Sequence, residues 1–416
     1  MTIVSNQRRI LLELLEGLRP YWHSDRNLPD RIRASLARDR RFGSRDRRLY
    51  RELIYTAVRY LPWIEPKLDL EPELATEITA WLAADTSDTH AFRNAVTAGW
   101  QPCPESVEAR SRVLGETPAH LLPDWLEEEN PRAYDSDEMD ALHRRGPVWL
   151  RLQRDDFAIV REELGVEGWH LDLSDILPDA VEARHPTRPE SDLTRSRSWK
   201  RGGFEIQDLG SQMVLESIGI DKGGRWLDAC AGAGGKTLQL ARTVGSSGRV
   251  EAWDPRRTAL EELERRRARA RMRNVRVLES PPHPGPPDPP TDHPREFDGV
   301  LVDAPCSGSG TWRRAPHLKW VTRPVDLERH AERQNALLRS FARLVRPGGL
   351  LVYATCSLAR SENEAVADTF LRDAPNFEPH PPLWSFGYSE APAGLHILPA
   401  RHDTDGFFVA TFLRKD

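Results

Sequence analysis

Several things are scarce in this 416-residue sequence, and each scarcity excludes something. Long apolar runs are missing: no stretch approaches the roughly 18 residues that a membrane-spanning helix needs. The N-terminal stretch through Leu18 carries charges inside its only apolar segment, unlike a secretory signal, so a cytoplasmic protein with no membrane partner is expected. Cysteine is limited to Cys103, Cys230, Cys306 and Cys356, without any Cys-x-x-Cys spacing, which argues against a zinc site or a disulfide framework. No metal is expected. Lysine occurs only at Lys67, Lys200, Lys222, Lys236, Lys319 and Lys415, so arginine carries most of the positive charge. Arginine suits phosphate and base contacts, but GC-rich codon usage produces the same bias. Net charge is also small, −5, and gives no support for a nucleic-acid partner; that case must come from local patches.

What is present describes a folded chain. Charged residues make up 30% and apolar ones 39%, which excludes a mostly disordered protein. At roughly 100–200 residues per domain, two or three domains are expected. From Arg8 to about Arg132 apolar residues recur at three- and four-residue spacing, as in Ile10 to Leu18 and Leu49 to Arg59, with Pro62, Pro66 and Pro72 between short helices. Residues 1–135 are therefore expected to form an all-helical domain. Its dense run from Arg38 to Arg48 reads first as a solvated helix face and second as a phosphate-binding patch.

From Val148 the pattern alternates like a strand, suggesting a small α/β module over 145–202. Beyond 203 strands and helices alternate regularly. Strands are expected at Arg225 to Asp228, Val250 to Asp254, Val275 to Leu278, Gly299 to Asp303, Leu350 to Thr355 and Phe407 to Phe412. This is the rhythm of a Rossmann-like, doubly wound α/β sheet over 203–416. The proline-rich stretch Ser280 to Pro290 is expected to be a surface loop.

Four motifs carry chemistry. The strand ending at Asp228 runs into a glycine-rich turn, Cys230-Ala-Gly-Ala-Gly-Gly-Lys236, where the backbone can approach a ligand and a helix begins. It is not a phosphate-gripping P-loop, which needs a glycine where Ala229 or Cys230 stands. Asp254 ends the next strand, placed either to accept hydrogen bonds from ribose hydroxyls or to cap a helix beginning at Pro255. Together these suggest an adenosine cofactor, a dinucleotide or S-adenosylmethionine.

The third and fourth motifs, Asp303-Ala-Pro-Cys306-Ser-Gly-Ser-Gly310 and Tyr353-Ala-Thr-Cys356-Ser357, close two strands that are neighbours in such a sheet, so both thiols should emerge beside the cofactor. A dinucleotide oxidoreductase would leave both cysteine motifs without a role. Carbon 5 of a pyrimidine, in contrast, needs a thiolate on carbon 6 before it can take a methyl group. Asp303 could then manage charge at nitrogen 3, and the second cysteine could serve as acid or base.

At these residues the sequence resembles the RNA 5-methylcytosine methyltransferases of the Sun (Fmu) family, in its branch of 16S ribosomal RNA methyltransferases. The resemblance rests on Gln207-Asp-Leu-Gly-Ser-Gln212, the glycine turn, the Cys306 motif with its extension Thr311 to Trp320, the segment Arg346 to Ser357, and Glu362-Asn-Glu364. It covers about Pro147 to the C-terminus. It implies that Cys356 is the nucleophile, that Cys306 assists product release and that Asp303 contacts the base. It also implies that Cys230, Ala231, Gly232, Ala233, Gly234, Gly235, Lys236, Asp254 and Asp303 line S-adenosylmethionine. The usual Ala-Ala-Pro-Gly-Gly-Lys turn has Ala233 in place of proline, and Glu279 stands near the position of the adenine-contacting aspartate. The N-terminal helices resemble a NusB-like RNA-binding domain around Ser44 to Tyr55. Arg313, Arg314, His317 and Lys319 are expected to hold RNA phosphates. The implied substrate is RNA, 16S ribosomal RNA or a small-subunit precursor first, with transfer RNA, or a non-catalytic assembly role, as alternatives. A monomer is expected.

Overall fold

The computed structural model describes residues 2–185, 192–280, 296–391 and 394–416, so most of the proline-rich stretch lies outside the described residues. The chain forms two compact units. One holds the chain up to Arg145 together with Thr311–Arg323; the other holds Gly146–His185, Ser191–Gly310 and Pro324–Asp416.

The first unit is helical. Leu11, Leu15 and Leu18 of the helix Ile3–Leu18, and Leu49, Leu53 and Ala57 of the helix Ser44–Arg59, are buried at the expected spacing. Pro62 and Pro72 sit in the first turns of the helices Leu61–Leu70 and Pro72–Leu82, where a missing N–H costs nothing. Pro66 is an exception, lying inside the former helix. In the run Arg38 to Arg48, Arg41 pairs with Asp39 and Arg48 with Asp88, while Arg38, Arg40, Arg45 and Arg47 are exposed. No helix among the described residues is long and apolar enough to cross a membrane.

The second unit contains two sheets. Strands β1 (Val148–Leu152), β2 (His170–Leu173), β3 (Ala180–Arg184) and β4 (Phe204–Ile206) form an antiparallel sheet in the order β2-β3-β1-β4, closed over Leu150, Val160, Leu164, Val181 and Phe204. The expected linker module therefore borrows its edge strand from beyond residue 203. It also shares polar contacts with the rest of this unit: the buried Arg151 donates from Nε to Gln207 Oε1 at 2.6 Å, and Gln207 donates to Gln239 Oε1 at 3.0 Å.

The larger sheet comprises β5 (Arg225–Asp228), β6 (Arg249–Ala252), β7 (Val275–Val277), β8 (Phe297–Asp303), β9 (Val345–Thr355), β10 (Phe377–His380), β11 (Glu390–Ala391), β12 (Gly394–Ile397) and β13 (Phe407–Arg414). Its order is β11-β12-β13-β9-β8-β5-β6-β7, with β10 also on β13. The pairs β7-β6, β6-β5, β5-β8 and β8-β9 are parallel, and β13 runs antiparallel on β9. The central strands contribute Leu227, Val300, Val302, Leu351 and Tyr353 to one core, as expected of strands covered on both faces. From β5 the chain steps outward to β6 and later returns on the other side as β8. The carboxyl ends of β5 and β8 thus flank the point where the winding reverses, which is where such sheets bind ligands.

Candidate active site

Asp228 closes β5 and is almost wholly buried; its Oδ2 accepts from Thr237 Oγ1 at 2.7 Å. Burial pushes its carboxyl up to about 7. The turn that follows needs glycine. Gly232 and Gly234 adopt φ of 51° and 90°, and a Cβ on Gly234 would come within 2.7 Å of Leu263. Arg266 donates to the Ala233 carbonyl at 2.9 Å and pairs with the buried Glu205, a support the sequence motif did not reveal.

Asp254 lies just past β6. Its Oδ2 accepts from the Gly232 N–H at 2.9 Å, and its Oδ1 accepts from the Arg256 N–H and Nε at 2.9 and 3.0 Å. Burial alone would raise this carboxyl, but the hydrogen bonds from Arg256 and Gly232 outweigh it and hold Asp254 below its ordinary range. The helix begins at Arg257 with Arg256 as its N-cap, so Asp254 is not the cap; it braces the glycine turn instead. Glu279 is exposed, two residues past the end of β7.

Lys236, in the first turn of the helix Gly235–Val244, is buried, and its Nζ lies 2.9 Å from Asp303 Oδ2 at the end of β8. Burial would depress this ammonium, but Asp303, followed by Cys356 and Asp228, holds it above its usual value. Asp303 pairs with Ala354 across β8 and β9, so the two following loops leave the sheet at one level. They bring Cys306 Sγ and Cys356 Sγ to 3.4 Å. The Cys306 thiol is driven well above its ordinary value, first by the Cys356 sulfur, then by burial, then by the charge of Glu362. Cys230 is partly buried, and burial raises its thiol as well. Cys103 is part of the helical unit, where burial does the same.

The expected phosphate contacts need correction. Arg313, His317 and Lys319 belong to the helical unit and are buried there, Lys319 to 1% exposure. Lys319 Nζ donates to the carbonyls of Arg59 and Leu121 at 3.0 and 3.1 Å and lies 2.9 Å from His143 Nε2. Burial pushes its ammonium well below the usual value. His317 Nε2 is 3.2 Å from the Arg26 carbonyl, and Arg313 lends its carbonyl to Arg59 Nη1 at 3.0 Å. Trp312 packs edge-on against Trp125, and Trp320 Nε1 donates to the Val58 carbonyl. Side chains so enclosed cannot reach a phosphate. Of the four, Arg314 alone is exposed.

Comparison with known proteins places this architecture. The family model described as 16S rRNA methyltransferase RsmB/F matches residues 216–413. The probable ribosomal RNA small subunit methyltransferase B of Bacillus subtilis (strain 168) is 29% identical over 325 residues, 76% of this chain and 70% of that protein. The ribosomal RNA small subunit methyltransferase B of Klebsiella pneumoniae (strain 342) is 32% identical over 311 residues, 71% of this chain and 67% of that protein. Among solved structures, PH0851 aligns at a TM-score of 0.71 and 22% identity over 99% of both chains. NSun6 from Pyrococcus horikoshii, solved with SFG, aligns at 0.60 and 19% identity, covering 71% of this chain and 98% of that one. At those identities the two structures speak to the fold. The sheet order, glycine turn and acidic tip of β6 are those of an S-adenosylmethionine-dependent methyltransferase. Within that class the chain belongs to the 16S rRNA methyltransferase RsmB/F family and is an RNA methyltransferase.

Proposed function

We propose that the protein methylates carbon 5 of a cytosine in 16S ribosomal RNA through a covalent adduct with Cys356. The observation that carries this reading is the 3.4 Å approach of Cys306 and Cys356 in the unit that also holds the Lys236–Asp303 pair. The residues present fit S-adenosylmethionine: the turn at Gly232 and Gly234 offers open backbone, and Asp254 stays ionised to accept from hydroxyls. Cys230, Ala231, Gly232, Ala233, Gly234, Gly235, Lys236, Asp254 and Asp303 would hold it, with Glu279 as the candidate for its adenine end. When bound, S-adenosylmethionine supplies an electrophilic methyl sulfonium.

The chain does the rest. Cys356 adds as thiolate to carbon 6 of the cytosine, and carbon 5 becomes an enamine carbon able to take the methyl group. Asp303 passes a proton from the Lys236 ammonium to nitrogen 3 as charge develops there and takes it back when the ring is released. Once carbon 5 has lost its proton to water, the ring double bond re-forms and the bond to Cys356 breaks, leaving its electron pair on sulfur. Cys306, still a thiol, delivers a proton to that sulfur. The target base must be unpaired or extruded to reach the thiols. The helical unit would bind RNA backbone through its exposed Arg38, Arg40, Arg45 and Arg47, and Arg314 is a further candidate. Incubation with unmodified small-subunit ribosomal RNA, read by bisulfite sequencing, tests the reading: one cytosine should gain protection, and methylation of another base, or of none, would overturn it.

A further inference from the structure

The two cysteine loops share a feature that the proposed chemistry has not used. Glu362, in the short turn Arg360–Glu362 after β9, is fully buried. Its Oε1 accepts from the Ser307 backbone N–H at 2.8 Å and from Gln334 Nε2 at 3.3 Å. Its Oε2 accepts from Ser307 Oγ at 2.5 Å and Ser357 Oγ at 2.6 Å. None of these four partners is a cation. Ser307 directly follows Cys306, and Ser357 directly follows Cys356, so one carboxylate takes hydrogen bonds from the residue after each thiol. Two further links close the same junction: Ser309 Oγ lies 3.2 Å from Ser357 Oγ, and the Gly310 N–H donates to the Cys356 carbonyl at 2.9 Å.

We infer that Glu362 is a positioning residue for methyl transfer, a buckle that fixes the Cys306 and Cys356 loops to each other and so sets the separation of the two sulfur atoms. An ionised carboxylate offers about four acceptor sites, and here four donors occupy them. A fixed negative charge close to Cys306 disfavours a second one on that sulfur, in keeping with the raised Cys306 thiol. On the other side, Cys356 is among the groups that favour the Lys236 ammonium. Glu362 thus helps to keep the Cys306 sulfur protonated until Cys356 is released.

The inference rests on the proposed thiol mechanism, but it can be tested apart from it. Glu362→Gln removes the charge while keeping an oxygen for the Ser307 N–H, and the two serine hydroxyls can turn to accept from the new amide. Alkylation of each cysteine by iodoacetamide, followed across pH by mass spectrometry in the full chain, requires no turnover. We expect the Cys306 profile of Glu362→Gln to move to lower pH while affinity for S-adenosylmethionine stays within about twofold, and kcat to fall by about tenfold with KM for RNA little changed. An unmoved Cys306 profile overturns the inference, whatever the activity. Should Glu362→Gln fail to fold, Ser357→Ala removes a single strap: a severalfold loss of kcat at unchanged cofactor affinity supports the inference, and full kcat overturns it. If the Cys306 profile moves but Cys356→Ala still transfers methyl groups, the thiol mechanism has failed and the electrostatic role of Glu362 stands.

Discussion

Cys306 Sγ and Cys356 Sγ lie 3.4 Å apart, on loops that leave two hydrogen-bonded parallel strands at the same level. At that distance a proton can pass directly between the sulfurs, while only one sulfur at a time can occupy the position below carbon 6 of a base. The two substitutions should therefore fail differently. Cys356→Ala removes the nucleophile and should abolish methyl transfer. Cys306→Ala leaves addition and methylation intact but removes the proton donor for release, so a protein–RNA adduct that survives denaturing electrophoresis should accumulate. Methyl transfer by Cys356→Ala, or an adduct in that variant and not in the other, would reverse the assigned roles.

Asp254 offers a cofactor-binding test that involves neither thiol. Its carboxylate ties the Gly232 N–H to Arg256 with two donors on each oxygen, so a ribose hydroxyl would reach the ionised Asp254 by displacing the exposed Arg256 guanidinium. Because its hydrogen bonds hold it below the ordinary carboxylate range, affinity for S-adenosylmethionine should be flat from about pH 8 down to about pH 5 and weaken only in more acid solution. Asp254→Ala should lose about tenfold or more in affinity, since it removes both the brace on the glycine turn and the acceptor for the ribose. Calorimetric titration measures both effects, and unchanged affinity in the variant would remove Asp254 from the cofactor site.

The strand-and-turn grammar of the catalytic unit was legible because each step is local. Apolar runs such as Arg225 to Asp228 end at glycines that only a special backbone needs, and the periodicity changes where the helices begin. The fate of Lys319 was not legible, because a position after the Cys306 turn says nothing about which surface covers it. A signal was nonetheless present: Trp312, Leu318, Trp320 and Val321 load that segment with more apolar surface than a solvated loop carries. Glu362 was visible as part of a motif without a role. Its partners Ser307 and Gln334 come from other loops and helices 55 and 28 residues away, and no spacing rule brings them together.

Lys319 leads to a prediction that separates structural from RNA-binding cations. Its three hydrogen-bond partners are neutral, and they offset only part of the cost of burying its charge. Lys319→Ala strands two carbonyls and opens a cavity, and should cost on the order of 1–3 kcal/mol of stability. The salt dependence of RNA binding should not change, because a side chain that touches no phosphate releases no counterion. Replacing Arg38, Arg40, Arg45 and Arg47 with alanine should do the opposite, reducing the salt slope and leaving the melting temperature almost unmoved. If Lys319→Ala lowers the salt slope of an intact fold, the buried reading is wrong.

Asp228 ties the stability of the catalytic unit to pH. Burial raises its carboxyl to about 7, while in the unfolded chain it titrates near 3.9. Between those values the native state holds a proton that the unfolded state has already released, so stability falls as pH rises through this window and levels off above it. The full penalty amounts to a few kcal/mol, because each pH unit separating the native and unfolded titrations is worth about 1.4 kcal/mol. Asp228→Asn keeps an oxygen for the Cys230 N–H and an amide that can donate to Thr237, but carries no proton to lose. Its urea midpoint should therefore exceed that of the parent by an amount that grows from about pH 4 to about pH 7 and is constant beyond. A difference independent of pH would mean that Asp228 is already ionised in the native protein and that Thr237 and Lys236 neutralise the cost of its burial.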